Sequence, residues 1–192
     1  VAPLDLPPDV GVVVVPDGPL HAVPWPGLPS LAHRPLALSP NAQMWLQADR
    51  RAEQPLSSVA MVVGPDVAGE HVERAALRRH HRHLAESTGA EATAEALRRA
   101  LSVHDLVHVA AHGSFRSDHP LLSTLRLSGG EATLYDVIPD TVAARLVVLS
   151  SCEAGAQGGA EGSEVLGFAA VMLARGAAAV LAPTTTVDDL EC

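Results

Sequence analysis

The chain has 192 residues, of which 47% are hydrophobic and 18% charged, and its formal net charge is −9. This composition is typical of a globular protein with a sizeable core rather than a disordered one. The negative charge argues against a nucleic-acid binder, because sequence-independent binding needs a basic surface.

The cysteine usage and the apolar stretches give expectations about the compartment. Two cysteines, Cys152 and Cys192, are too few for a disulfide framework. With the absence of a signal peptide, they predict a cytoplasmic protein. The longest apolar stretch is interrupted by Arg175 and Gly176, so it indicates a buried helix and strand, and no membrane contact is expected. Because the chain begins without Met and stops soon after this stretch, we expect a piece of a longer protein with a truncated C-terminal end.

Residues 1–57 are rich in Pro and predict a small N-terminal lobe that packs on the rest of the molecule. Prolines restrict regular structure here, so the predicted elements are short. They are three strands and one amphipathic helix: Gly11–Val15, Leu20–Val23, Pro35–Leu38 and Asn41–Ala52.

Residues 58–192 alternate between apolar runs and helical patterns. The predicted strands are Ser58–Val63, His83–Ser87, Leu106–Ala110, Arg145–Ser150 and Ala178–Ala182, and the predicted helices are Gly69–His83, Thr93–Leu101 and Glu164–Ala174. A hairpin is predicted over Thr124–Leu127 and Ala132–Val137. Short apolar strands separated by helices are typical of a parallel sheet covered on both faces. The sequence therefore predicts an α/β fold with three layers and a mainly parallel central sheet.

Two strands of this predicted sheet end in residues that can do chemistry. His112 follows the strand Leu106–Ala110, and Cys152 follows the strand Arg145–Ser150. Ligand sites in open parallel sheets form at the carboxyl ends of the strands. If the two strands are neighbours, a thiol and an imidazole meet there as nucleophile and base. The alternative is a buried structural Cys and a loop His with no catalytic role.

The backbone around these residues could complete such a site. The amides of Gly113 and Cys152 could together hold an oxyanion, where one lost donor costs about 10²–10³ in rate. Glycine at position 113 also leaves room for a substrate backbone. A Cys-His dyad for acyl transfer is the chemistry that this pattern favours.

The two segments resemble those of clan CD cysteine peptidases, in which one strand ends in His-Gly and the next in a Cys soon followed by Gly. The run Ser150-Ser151-Cys152-Glu153-Ala154-Gly155, with a Gly-rich loop and a helix after it, is similar to the CHAT family. Three further segments resemble that family: Pro16-Asp17-Gly18-Pro19-Leu20, Gly89-Ala90-Glu91-Ala92-Thr93 and Val187-Asp188-Asp189. Departures are Ser151, Ala154, Thr185-Thr186 and a chain that stops before the family's last helix and strand.

The resemblance implies a bacterial caspase-like cysteine endopeptidase, with His112 and Cys152 as its dyad, that cleaves a specific protein partner or itself. It also implies fusion to, or association with, repeat or sensor regions. The missing C-terminal part could leave this fragment inactive. The alternative is a non-catalytic interaction or scaffold domain with the same fold, and a nucleotide-binding module is a third hypothesis.

Three acidic residues are candidates for substrate binding. Asp66 follows the strand Ser58–Val63, and Asp188 and Asp189 follow the last strand. The resemblance to clan CD suggests that carboxylates there select the P1 side chain, in which case they would favour Arg or Lys. The alternative for each is a turn or helix-cap role.

Neither a metal nor a cofactor is expected. His80, His81 and His83 lie too close together on one helix to converge on an ion. The Gly155–Gly162 loop lacks the Gly-Lys-Ser/Thr of a phosphate-binding loop. Solvent exposure explains the histidine cluster, and a loop bordering the substrate cleft explains the Gly-rich segment.

Overall fold

A computed structural model of the protein describes residue 7 and residues 9–150 and 163–182, except residues 53, 115 and 117. The described strands are β1 Val12–Val14, β2 Leu36–Leu38, β3 Val59–Val63, β4 Leu84–Ser87, β5 Leu106–Ala110, β6 Gly113–Ser114, β7 Thr124–Leu127, β8 Gly130–Thr133, β9 Leu146–Ser150 and β10 Ala179–Leu181. The described α-helices are α1 Ala42–Ala52, α2 Glu70–His80, α3 Ala94–Val103, α4 Leu134–Val137 and α5 Ser163–Ala174.

The core of the molecule is a five-stranded sheet in the order β10-β9-β5-β3-β4, and every neighbouring pair in it is parallel. All residues of β3 and of β5 are buried, as expected for central strands covered on both faces. The predictions of an α/β fold and of a mainly parallel central sheet are confirmed.

Helices cover the two faces of this sheet. On one face, Val107 and Val109 pack with residues of α3 and α5 such as Leu101 and Met172 in the main hydrophobic cluster. On the opposite face, Met61, Val63 and Ala110 pack against Leu77 of α2 and its neighbours. Alternate residues of β5 therefore face α3 and α2, so side chains two apart along a strand share a face. This alternation decides which residues reach α2.

The N-terminal lobe contains a parallel pair, β1 with β2, and the helix α1. The predicted strand Leu20–Val23 is wrong, because Gly18–Ala22 is a 3-10 helix with Pro19 in its first turn. The indole nitrogen of Trp25 donates to the carbonyl oxygen of Leu20 at 3.0 Å and holds this helix against the next turn. The division of the chain at residue 57 stays a prediction.

A small antiparallel sheet, β6-β7-β8, follows β5. The prediction of a strand over Ala132–Val137 is wrong in its second half, since α4 begins at Leu134. The side chain of Thr133 accepts a hydrogen bond from the amide of Asp136, while the Asp136 carboxylate accepts one from the amide of Thr133. This reciprocal cap favours a helix start at this point.

Candidate active site

The strands that precede His112 and Cys152 are adjacent in the central sheet. β5 pairs with β9 in parallel, with Ala110 opposite Ser150 in the last pair. The Ala111 amide continues this pairing with a 3.2 Å hydrogen bond to the carbonyl oxygen of Ser150. The predicted neighbourhood of the two strands is confirmed. His112 therefore lies one residue after the Ala111 amide that bonds to β9.

The imidazole of His112 is half-buried, and a main-chain oxygen orients it. Its Nε2 lies 3.0 Å from the carbonyl oxygen of Asp66, in the loop after β3. A carbonyl oxygen only accepts hydrogen bonds, so Nε2 carries the proton in this contact. The neutral ring then has its lone pair on Nδ1, which is the nitrogen able to take a proton.

The loop of Asp66 and the strand β7 hold the residue from two sides. The Arg126 amide donates to the carbonyl oxygen of His112 at 2.8 Å. The guanidinium of Arg126 also lies 3.3 Å from the carboxylate of Asp66 in a solvent-facing ion pair. Asp66 itself has φ 61, a left-handed conformation that Asp adopts more readily than most residues. His112 is thus fixed at its main chain and at its ring.

Gly113 follows at the start of β6, opposite Leu125 of β7. The hydrogen bond from the Arg126 amide to the His112 carbonyl oxygen lies one residue outside this pair. Because bonded and non-bonded pairs alternate in an antiparallel ladder, Gly113 and Leu125 form a non-hydrogen-bonded pair. In such a pair the amides point away from the partner strand. The Gly113 amide is therefore not used in bonding to Leu125, as an oxyanion donor requires.

Sequence reasoning missed a polar cluster below His112 on the face of the sheet that α2 covers. The carboxylate of Glu73 in α2 accepts a 2.9 Å hydrogen bond from Nε2 of His108 and a second bond from the hydroxyl of Ser150. The side chains of His108 and Glu73 are only 10% and 19% exposed. The sequence feature that could have revealed this cluster is His108 inside an otherwise apolar strand, because a buried imidazole needs a hydrogen-bond partner.

The carboxyl group of Glu73 is held in its charged form. Burial raises the pKa of Glu73, but the hydrogen bonds from His108 and Ser150 and the charge of His108 outweigh it and lower the pKa below its usual value. The cluster therefore places a carboxylate, not a carboxylic acid, between β5 and β9.

The described part of the chain contains no group of three or more His, Cys, Asp or Glu side chains arranged to hold a metal ion. His80 ends α2, where its side chain is exposed, and His81 and His83 come just after the helix.

A comparison with protein families decides what kind of domain carries this geometry. The model of the CHAT domain matches residues 4–190. The chain belongs to the CHAT domain family. CHAT is a caspase-like clan CD family of cysteine peptidases, so the family and fold inferred from the His-Gly and Ser-Cys-Glu segments are confirmed. No curated protein matches the chain significantly.

The structure of this CHAT domain covers part of the predicted site. His112, Gly113 and the candidate Asp66 are described and lie close together. Cys152, Asp188 and Asp189 lie outside the described residues, so their predicted roles stay predictions. Across the residues that are described, no helix of the CHAT domain has the length and apolar character needed to cross a membrane.

Proposed function

We propose that this CHAT domain is a cysteine endopeptidase that cleaves a specific protein partner, or itself, with Cys152 as nucleophile and His112 as acid–base. The main support is the position of His112. It stands at the carboxyl end of β5, with Nε2 bonded to Asp66, beside the strand that reaches Ser150 two residues before Cys152.

The proposed first half-reaction transfers the acyl group to sulfur. Nδ1 of His112 takes the thiol proton, because a thiol of pKa about 8.5 is mostly protonated at neutral pH. The thiolate of Cys152 attacks the substrate carbonyl carbon, and the amides of Gly113 and Cys152 hold the oxyanion. The C–N bond then breaks as Nδ1–H protonates the leaving amine, which leaves a thioester on Cys152.

The second half-reaction restores the enzyme. His112 removes a proton from a water molecule, whose oxygen attacks the thioester carbonyl carbon. The C–S bond breaks, the acid product leaves, and the proton returns to the sulfur of Cys152. The bond from Nε2 to the Asp66 carbonyl oxygen keeps the ring in the required tautomer throughout, and it also accommodates the imidazolium.

Selection of Arg or Lys at P1 by Asp66, Asp188 and Asp189 also stays a proposal. The Asp66 carboxylate pairs with Arg126 at 3.3 Å, and both side chains are exposed. Exposed ion pairs contribute only about 0–1 kcal/mol, so a substrate cation could displace this one.

By family resemblance, repeat or sensor regions would supply the signal that activates cleavage. The presence of only two cysteines supports a site of action in the reducing cytoplasm.

The first prediction is that Cys152→Ala lowers cleavage of a matching peptide reporter by at least about 10³-fold, because the nucleophile is lost. The measurement is a screen of acyl-peptide reporters that differ at P1, run on the wild type and the variant. The matched control is Cys192→Ala, which removes the other thiol and should keep full activity. Thermal unfolding of both variants should match that of the wild type.

Equal cleavage by Cys152→Ala and by the wild type would refute the peptidase. If no reporter is cleaved, and iodoacetamide alkylates Cys152 no faster than Cys192 in the native protein, the non-catalytic scaffold domain is the correct alternative.

A further inference from the structure

The cluster of Glu73, His108 and Ser150 lies near the carboxyl ends of β5 and β9. Ser150 is the last residue of β9 and sits opposite Ala110 in the final register pair. The main chain at His112 also bonds to β7, since its carbonyl oxygen accepts from the amide of Arg126. The hydroxyl of Ser150 and the imidazole of His108 reach the same carboxylate.

We propose that Glu73 is a positioning residue of the candidate active site, a carboxylate that ties the end of β9 to β5 and so sets where Cys152 stands relative to His112. This inference rests on the proposed function for its catalytic meaning. The tie itself is made by described residues alone. One oxygen of Glu73 accepts from His108 of β5 and the other from Ser150 of β9.

The residues around the polar cluster indicate that the cluster does more than stabilise the fold. Met61, Val63 and Ala110 fill the neighbouring positions and pack against Leu77, one helical turn after Glu73. Apolar side chains in place of the polar cluster would continue this packing. They would cost little stability, because buried charged groups are often no more stabilising than apolar ones of similar volume. Hydrogen bonds of fixed direction, however, define a position more narrowly than apolar contacts do.

The geometry also sets the reach of the effect. Ser150 precedes Cys152 by two residues, which span about 7 Å in an extended chain. A shift of the Ser150 side chain by a fraction of that length would change the separation of sulfur and imidazole, and catalytic groups tolerate misplacements of well under 1 Å. Glu73 thus acts on the reaction through β9, to which it bonds at Ser150.

The second prediction is tested on the 192-residue chain carrying Cys192→Ser, so that Cys152 is its only thiol. The variants are Glu73→Gln and Ser150→Ala, and the readout is the rate of iodoacetamide alkylation against pH. We expect both variants to raise the pKa of the Cys152 thiol by about one unit, and to slow alkylation at pH 7 by up to about tenfold, because the imidazole no longer stabilises the thiolate. The Ser150→Ala variant keeps the charge of Glu73 and removes only the tie to β9.

The direction of the pKa change separates positioning from simple charge. Loss of a nearby negative charge alone would lower the pKa of the thiol in Glu73→Gln. A role in stability alone would lower the melting temperature and leave the thiol pKa unchanged. The matched control is Glu70→Gln, which makes the same charge change on the same helix, at a half-buried residue whose ion pair is with Arg74 of that helix. A lowered or unchanged thiol pKa in Glu73→Gln overturns the proposal.

A second measurement keeps this inference separable from the peptidase. Hydrogen exchange of the Ala111 amide reports the bond from this amide to the carbonyl oxygen of Ser150 at the end of β9. It should speed up about tenfold in Glu73→Gln and Ser150→Ala, and not in Glu70→Gln. An ordinary thiol pKa in the wild type would overturn the proposed function, whereas unchanged Ala111 exchange in both variants would overturn the tie.

Discussion

At the scale of single residues, the orientation of His112 depends on the main chain. The loop after β3 turns through the left-handed conformation of Asp66 and presents its carbonyl oxygen to the ring. The same loop begins at Gly64, whose amide donates to the carbonyl oxygen of Ala110 at 2.8 Å. Backbone contacts between neighbouring segments therefore set the position of this oxygen.

The third prediction concerns Gly64. A Cβ at this position would collide with the carbonyl oxygen of Arg126 and lie 3.1 Å from the Cβ of Ala111. Because Arg126 is bonded to His112, Gly64→Ala should push β7 away from the site. We expect it to destabilise the fold by about 1–3 kcal/mol, as overpacking does, and to shift the ring ¹⁵N resonances of His112.

The matched control for that substitution is Gly27→Ala, because a Cβ at Gly27 meets nothing within 4 Å. Thermal unfolding and NMR of the His112 ring check both variants. Unchanged stability and unchanged ¹⁵N resonances in Gly64→Ala would show that β7 can move without disturbing the site.

At the scale of elements, one carboxylate joins the amino ends of three central strands. Asp105, just before β5, accepts hydrogen bonds from the amides of Ser57 and Ser58, both at 3.0 Å, and from their hydroxyls at 2.6 and 3.0 Å. Arg145, just before β9, lies 3.3 Å from its other oxygen. The Ser57 hydroxyl does most to lower the pKa of Asp105; burial raises that pKa, and the remaining serine contacts lower it further, well below its usual range.

The fourth prediction is that Asp105→Asn lowers the free energy of unfolding at pH 7 by about 2 kcal/mol, because an amide cannot accept all these bonds. The pKa of Asp105 is lowered on folding, so its contribution is fully present above the usual value of 3.8 and is lost as the pH falls below it. Denaturant unfolding of both proteins at pH 7 and at pH 3 and below should show the difference shrinking with acid.

Asp118→Asn is the control for this change. The Asp118 carboxylate pairs with Arg116 on the surface, and exposed pairs contribute little to stability. If Asp105→Asn is as harmless as this control at pH 7, the three strands are not joined at Asp105 in the way we describe.

The elements predicted most accurately from the sequence are those whose burial can be inferred from the residue types of the segment itself. The runs that became β3, β5 and β9 were predicted within a residue of their bounds, because a strand covered on both faces is almost wholly apolar. The short pieces were harder. The run Leu20–Val23 looked like a strand, but Pro19 favoured a helical start at that place.

The candidate site was predictable only in part, for a related reason. His112 and Gly113 end a strand, so their place followed from the strand pattern and the rule for sheet edges. Glu73 lies 35 residues from His108 and 77 from Ser150 along the chain. Nothing in the sequence gives the rotation of α2 that brings its carboxylate between them. Contacts of such separation depend on packing, which local patterns do not specify.

At the scale of the whole molecule, two arginines connect the N-terminal lobe with the sheet region, and one of them, Arg145, is buried. The side chain of Arg145 is 7% exposed, and besides Asp105 it donates to the carbonyl oxygens of Gln54 and Pro55, just after α1. In return, Arg51 of α1 donates to the carbonyl oxygen of Ala143 at 3.1 Å. An apolar cavity of about 490 Å³ lies between the lobe and β10, with Trp45 of α1 and Val180 of β10 in its lining.

The fifth prediction follows from that junction. Arg145→Met keeps the length of the side chain but removes every donor, which leaves the carbonyl oxygens of Gln54 and Pro55 without this partner. Breaking a buried charged contact typically costs about 3–5 kcal/mol. We expect amide hydrogen exchange in α1 to accelerate at least about tenfold, because Arg145 contacts α1 near its end. Strand β5 should stay protected, because neighbouring strands hold it on both sides.

The control for this change is Arg175→Met, which removes a guanidinium that pairs with the exposed Asp140. It should leave exchange in α1 unchanged. Equal protection of α1 in Arg145→Met and the wild type would mean that the lobe is held by its apolar contacts instead.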